Sequence, residues 1–120
     1  MNRRSELGKF GEDRACEYLI KVGYCILARN YRTRLGEIDI IAVKDQVISF
    51  VEVKTRQSCV YGRPVEAVTR AKQRKIHLCA EAYLQDCHLL ESMPRLSFDV
   101  IEIIKGARGI QHFYHYQHCF

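Results

Sequence analysis

The stretch at 36–56, GEIDIIAVKDQVISFVEVKTR, restricts the fold more than any other part of the chain. β-branched and aromatic residues fill both halves, and a polar Lys44-Asp45-Gln46 separates them. The residues repeat with a period of two, which a helix cannot present to a single partner. The stretch is therefore two strands, about 37–43 and 47–55, joined by a tight turn and antiparallel. Its apolar positions demand a cover. Yet Glu37, Asp39, Glu52 and Lys54 lie among them. A hairpin bound for a core while carrying three carboxylates has either a wet face of ion pairs or a chemical site.

Alternation puts Glu37, Asp39 and Ile41 on one face of the earlier strand, and Phe50, Glu52 and Lys54 on one face of the later one. If Asp45-Gln46 is a two-residue turn, Asp39 lies opposite Glu52 and Glu37 opposite Lys54. If the turn is Lys44-Asp45, Asp39 lies diagonal to Glu52. Both registers keep the two acids on one face, because a shift of two preserves the alternation. Opposed residues have Cβ atoms about 5 Å apart. Two carboxylates that close repel unless one holds a proton or a cation offsets them. Mg²⁺ takes hard oxygen ligands, commonly one or two carboxylates plus water and phosphate oxygens. Lys54 is placed to hold a water, meet a phosphate oxygen or stabilise developing charge. Asp39, Glu52 and Lys54 together suit metal-assisted hydrolysis of a phosphodiester. The plainer alternative is a solvated face with ion pairs such as Glu37–Lys54. An acid-x-Lys triplet arises roughly once by chance in a chain of this composition. The argument therefore rests on the second acid across the hairpin.

The rest of the chain frames that hairpin. A first helix is expected over about 5–22, capped by Ser5, stopped by Gly23, with an apolar stripe of Leu7, Phe10, Ala15, Tyr18, Leu19 and Val22. Glu12 falls on the border of that stripe, placed to lean over the sheet or to pair with a nearby Arg or Lys. A first strand follows at about 24–31. Gly62-Arg63-Pro64 opens a second helix that runs to about 86, with Pro64 in its first turn. Its stripe is Val65, Val68, Ile76, Cys79 and Tyr83, and Lys72 falls in the middle of it. A lysine there either snorkels to water or reaches an anion at the sheet edge. A fourth strand, about 96–104, follows a helical crossover and is placed parallel to the third in a right-handed unit. A fifth strand is expected at 110–116. Helices interspersed with strands predict one α/β layer, a mixed sheet with helices packed against it. The 120 residues, 1–120, have room for one domain.

Composition excludes several classes. Hydrophobic residues make up 48% and charged residues 28%, an ordinary globular balance. No apolar run approaches the roughly 20 residues of a membrane span. The N-terminal MNRRSELGKFGEDRACEYL has no apolar core of a signal peptide, so a cytoplasmic location is expected. The six cysteines form no C-x-x-C pair, which argues for reduced thiols rather than a zinc site. The net charge of +5 and a pI near 9.0 favour anionic partners, nucleic acid first. Cations cluster at Arg29, Arg32 and Arg34, and at Arg70, Lys72, Arg74 and Lys75. His112, His115 and His118 recur every third residue. On a strand His115 would point away from the other two, so aromatic packing of a terminal strand is expected rather than a metal site.

GKFGEDRACEYLIKVGYCILARNYRTRLGEIDIIA, FVEVKTR and YGRPVEAVTRAKQRKI, with FDVIEI at 98–103, closely resemble the YraN-like family of small bacterial proteins. That family is in turn similar to the restriction-endonuclease-like, PD-(D/E)xK nucleases, with archaeal Holliday-junction resolvases among its closer relatives. The resemblance implies a mixed central sheet, an α-β-β-β-α-β core plus a C-terminal strand, flanked by helices. It implies a metal-dependent endonuclease that hydrolyses phosphodiester bonds in DNA rather than RNA, on branched or junction substrates in repair or recombination. By resemblance, Asp39 is the motif aspartate, and Glu52 and Lys54 form the E-x-K pair. Asp39, Glu52 and the main-chain carbonyl of Val53 would hold Mg²⁺ or Mn²⁺. Glu12 would complete or bridge a second metal position, and Lys54 would orient the attacking water. Arg56 and Lys72 match further family positions and are expected to meet phosphate, with Arg34 as another nucleic-acid contact. Gly11, Gly36 and Gly62 match family glycines with a structural role. A homodimer would follow by analogy with the resolvases. The rival expectation is a nucleic-acid-binding accessory protein without catalysis, whose binding weakens with salt and needs no metal.

Overall fold

A computed structural model describes residues 6–57 and 68–120. The hairpin forms as its alternation requires. β2 (Gly36–Lys44) and β3 (Val47–Gln57) run antiparallel and pair from Ile40–Val51 to Lys44–Val47, so Asp45-Gln46 is the two-residue turn. Both turn residues have positive φ, 52° and 67°. A type I′ turn needs that pair, because its twist matches the twist of the strands it joins.

The described residues also form α1 (Glu6–Lys21), β1 (Cys25–Thr33), α2 (Arg70–Asp86), a 3-10 turn at Leu90–Ser92, β4 (Arg95–Gly106) and β5 (Gly109–Tyr116). The five strands make one sheet in the order β1-β2-β3-β4-β5. Only β3 and β4 pair in parallel. A parallel step cannot be closed by a short turn, and the segment carrying α2 makes the crossover. This mixed sheet with two helices is compatible with a restriction-endonuclease-like α/β architecture.

Each helix covers one face of the sheet. Ala15, Cys16 and Leu19 of α1 pack on Ile40, Ala42, Val51, Ile101 and Ile103. Ile76, Cys79, Ala80, Tyr83 and Leu84 of α2 pack on Ile38, Ile41, Ile48, Phe50 and Val100. Cover on both faces explains why IDIIAV and ISFVEV read as almost continuous apolar runs. No described helix is long and apolar enough to cross a membrane.

Two boundaries differ from the sequence reading or sharpen it. α2 begins at Arg70, not at Pro64. Thr69 caps it, its Oγ1 accepting from the Lys72 N–H at 3.1 Å, and a threonine cap satisfies an otherwise orphaned donor. Ser5, Gly62-Arg63-Pro64 and Val65 lie outside the described residues. At the end of α1, Gly23 has φ 108°. Its N–H donates to Ile20 O at 3.1 Å and that of Tyr24 to Leu19 O at 2.9 Å, the paired bonds of a Schellman stop.

Strict alternation fails within β2, and this corrects the expectation for Glu37. Ile38 shares the α2 cluster with Ile41, whereas Ile40 and Ala42 belong to the α1 cluster. Across the β1–β2 ladder, Arg29 pairs with Ile40 and Tyr31 with Ile38. Arg29 bonds Asp13 of α1, while Tyr31 packs on the α2 cluster. The pleat inverts between them, at Asn30 (φ 53°) and Asp39. Beyond this break Glu37 pairs with Arg32 at 2.9 Å rather than with Lys54.

Gly11 sets how closely α1 lies on β3. A Cβ there would stand 2.9 Å from the Thr55 Cβ and collide with its Oγ1. Helix propensity alone favours alanine over glycine by about 1 kcal/mol. Gly11→Ala is nevertheless expected to destabilise the fold by about 1–3 kcal/mol, because overpacking outweighs that gain. Thr55→Ala in the same chain should recover part of the loss, and urea unfolding of the three variants measures both effects.

Candidate active site

The break in the pleat is where the acids meet. Glu12 of α1, Asp39 of β2 and Glu52 of β3 are 7%, 7% and 8% exposed. The β2–β3 ladder ends at Ile40–Val51, and there the Asp39 side chain takes over from the backbone. The Val53 N–H donates to Asp39 Oδ2 at 2.8 Å. Asp39 is thus held between the strands by a peptide that belongs to the Glu52-Val53-Lys54 motif. Burial, and next the facing charge of Glu52, push the Asp39 carboxyl up from its ordinary 3.8 to about 7. The Val53 hydrogen bond pulls it down, and Glu12 and Glu37 push it up further. Glu12 therefore acts on Asp39 electrostatically, as its border position on the helix suggests.

Lys72 resolves the misfit in the second helix's stripe. Its side chain is 45% exposed, and its Nζ lies 3.3 Å from Glu52 Oε2. The lysine reaches an anion, and that anion is a site carboxylate. Lys54, half-buried, stands beside Glu102 across the parallel ladder. Arg56, two residues on, donates to Glu102 Oε2 at 3.1 Å, so the expected phosphate contact is anchored to an internal carboxylate. Arg34 is exposed. It lines a cleft of about 460 Å³ with Arg32, Lys72 and Lys75. The structure thus brings Glu12, Asp39, Glu52, Lys54 and Lys72 to one end of the sheet and sets Arg34 on the cleft next to them.

Two further buried acids escaped the sequence reading. Asp99 and Glu102 are 0% and 3% exposed on β4. Their signal was FDVIEI, an apolar strand carrying acids three apart, which alternation sends to opposite faces. Histidines of the C-terminal segment serve both. His115 Nε2 lies 2.8 Å from Asp99 Oδ2, and its Nδ1 lies 3.2 Å from the Tyr18 hydroxyl of α1. His112 Nε2 lies 3.1 Å from Glu102 Oε1. His115 also packs edge-on against Tyr18, which contacts Phe113, as expected for an aromatic terminal strand. His118 lies beyond the strand with φ 55°, and its N–H donates to Asp99 Oδ1 at 3.2 Å.

A family model described as Uncharacterised protein family UPF0102 matches residues 11–103, a span that holds every acid of the site. The chain belongs to UPF0102. It is 50% identical to a UPF0102 protein of Caldicellulosiruptor saccharolyticus over 91% of this chain and 90% of that protein. It is 48% identical to one of Alkaliphilus metalliredigens over 89% and 92%, and 43% identical to one of Dictyoglomus turgidum over 91% and 90%. Similarity on this scale extends the YraN resemblance over most of the chain.

Within this UPF0102 chain, the donor chemistry fits a hard divalent cation. Asp39 and Glu52 offer buried carboxylate oxygens whose repulsion a cation would relieve, and one or two carboxylates with waters are sufficient for Mg²⁺. Among the described residues, no three His, Cys, Asp or Glu side chains are gathered as a group for one ion. Glu12 therefore stands beside the Asp39–Glu52 pair without forming a three-acid cage.

The raised carboxyl of Asp39 has a consequence for stability. Unfolded, it releases its proton near 3.8; folded, near 7. The native state binds the extra proton in between, so this contribution favours folding below about pH 4, is lost as pH rises to about 7, and is flat above. Asp39→Asn removes the charge and keeps an acceptor for the Val53 N–H. It is expected to stabilise the chain at pH 8 by on the order of a few kcal/mol, with the gain shrinking toward zero near pH 4. Urea unfolding at the two pH values measures the difference.

Proposed function

We propose that this UPF0102 protein is a divalent-metal-dependent endonuclease that hydrolyses phosphodiester bonds in DNA, acting on branched or junction substrates in repair or recombination. The observation that carries the reading is the buried Asp39–Glu52 pair, held across the hairpin by the Val53 peptide with Lys54 on the same strand. A bound Mg²⁺ or Mn²⁺ would supply Lewis acidity and charge compensation at the scissile phosphate. Asp39 and Glu52 would hold it, with the Val53 carbonyl as a third oxygen donor and Glu12 as the neighbouring acid that bridges or completes a second position. Lys54 orients the attacking water and meets the charge that develops on the phosphate. Lys72 links the site to the basic cleft, where Arg34 and Lys75 meet backbone phosphates on either side of the cut. The same reading places the protein in the cytoplasm and has it work as a homodimer when both strands of a junction are cut.

A second reading is favoured by one contact. Lys72 already neutralises Glu52 at 3.3 Å, as a cation-free site would require. In that reading the chain is a nucleic-acid-binding accessory protein, and its affinity falls with salt and ignores metal.

Cleavage of branched, flapped and duplex DNA with Mg²⁺ or Mn²⁺ separates the two. Wild type should cut, and Lys54→Ala should lose about 10²–10³-fold, the scale of removing one transition-state charge donor. Asp39→Asn should lose at least as much. Mn²⁺ should raise the unfolding midpoint of wild type and leave that of Asp39→Asn unmoved. Wild type that cuts no substrate, or variants that cut equally well, would overturn the nuclease reading.

A further inference from the structure

We propose that the face of β5 beside the candidate active site is a stacking platform for unpaired nucleobases, built from Tyr114 and Tyr116 and braced by His112. The proposal rests on the nuclease reading for where the cut falls, and it names the substrate class: DNA with a single-stranded arm leading away from Glu52 and Lys54.

Ladder register puts the platform in line with the site. Across β3 and β4, Glu52 lies beside Val100, Lys54 beside Glu102 and Arg56 beside Ile104. Across β4 and β5, Val100 lies beside Tyr116, Glu102 beside Tyr114 and Ile104 beside His112. Residues in register on neighbouring strands share a face, so Lys54, Glu102 and Tyr114 form one row across the sheet. Two strand spacings separate its ends, about 10 Å. A few nucleotides of single strand cover that distance.

The two faces of β5 are used differently. Phe113 and His115 are tucked beneath Tyr18 of α1. Tyr114 and Tyr116, on the opposite face, are 53% and 38% exposed. Their rings lie 4.5 Å apart at 56°. The two rings pair an apolar body with a polar hydroxyl, the amphipathic chemistry common at interfaces. Buried Glu102 fixes the surface around them. It accepts from the Tyr116 hydroxyl at 3.4 Å and from Arg56 at 3.1 Å, and bonds His112 at 3.1 Å. Rings held on a strand, in one row with the ammonium of Lys54 on a chain with net charge +5, match the chemistry of a single nucleic-acid strand. Aromatic faces stack bases of any sequence while the cations track the phosphates. A paired duplex hides its base faces and gains nothing from the platform.

The test uses the full chain in EDTA, so that binding is read without cleavage. Anisotropy of a labelled oligodeoxythymidylate of about 12 nucleotides, within the range that such grooves cover, gives affinity at low salt. The chain has no tryptophan and seven tyrosines, so quenching of tyrosine emission reports stacking directly. Wild type should bind the oligomer more tightly than a blunt duplex of equal length. Tyr114→Ala should weaken single-strand binding by about tenfold and leave duplex binding within about twofold. Tyr114→Phe should retain wild-type affinity, and Tyr116→Ala should weaken it as Tyr114→Ala does. An abasic strand of the same length should bind wild type at least as weakly as the oligomer binds Tyr114→Ala.

Three results would overturn the platform: alanine variants that bind the single strand like wild type, an abasic strand that binds as well as a normal one, or a Tyr114→Ala change confined to oligomeric state, which would make the face a self-interface. Tyr114-dependent binding without any metal-dependent cleavage would leave the platform standing and sink the nuclease reading. Asp39-dependent cleavage with Tyr114-independent binding would do the reverse.

Discussion

At the point where β2 stops pairing with β3, the side chain of Asp39 accepts the Val53 N–H in place of a strand carbonyl. The strands can then part without orphaning a buried donor, which would cost on the order of 1–3 kcal/mol. The same bond fixes the Asp39 carboxylate against the buried Glu52, whose facing charge adds to burial in making Asp39 harder to ionise. Everything else in the site is arranged around that opposition. α1 comes close enough, through Gly11 against Thr55, to add Glu12, and α2 brings Lys72 from the other side of the sheet.

The other buried acids show that the opposition is particular to this place. Asp99 accepts from Ser97, from the His118 N–H and from His115. Glu102 engages Arg56, His112 and Tyr116. Both are enclosed by donors of their own fold, as buried carboxylates must be to remain in a core. Asp39 has the Val53 N–H and then a second acid. One sheet thus holds acids that brace it and acids set against each other, and the proposed function rests on the latter arrangement.

Much of this was legible from residue patterns. Alternation and a polar turn narrowed the hairpin to two registers, both with Asp39 near Glu52, and the crossover gave the parallel step between β3 and β4. Glu12 and Lys72 stood out because each sat where its helix stripe did not want a charge. Three things were not legible. The inversion at Asn30 and Asp39 depends on a left-handed residue, which a count of periods cannot see. Pro64 suits a helix's first turn and so suggests the start of α2, whereas the capping hydroxyl of Thr69 marks it. Asp99 and Glu102 could not be placed because their partners, His115 and His112, come from a separate strand whose register no local pattern supplies.

Lys72 joins the site's two chemistries. Its bond to Glu52 is made by a side chain that is 45% exposed, and ion pairs of that kind are worth about 1 kcal/mol or less. Such a bond is strong enough to keep Glu52 company in an empty site and weak enough to exchange. A divalent ion carries twice the charge of an ammonium, and Asp39 and Glu52 would be the residues to hold it, whereas Lys72 meets Glu52 alone. Released from Glu52, the ammonium would still line the basic cleft with Arg34 and Lys75, where a phosphate brought by the substrate is its natural partner. The salt bridge that favours a purely binding role is therefore also the contact a nuclease of this design would make while waiting for metal and DNA. The two readings part on whether the Asp39–Glu52 pair gives up that ammonium for a cation of higher charge.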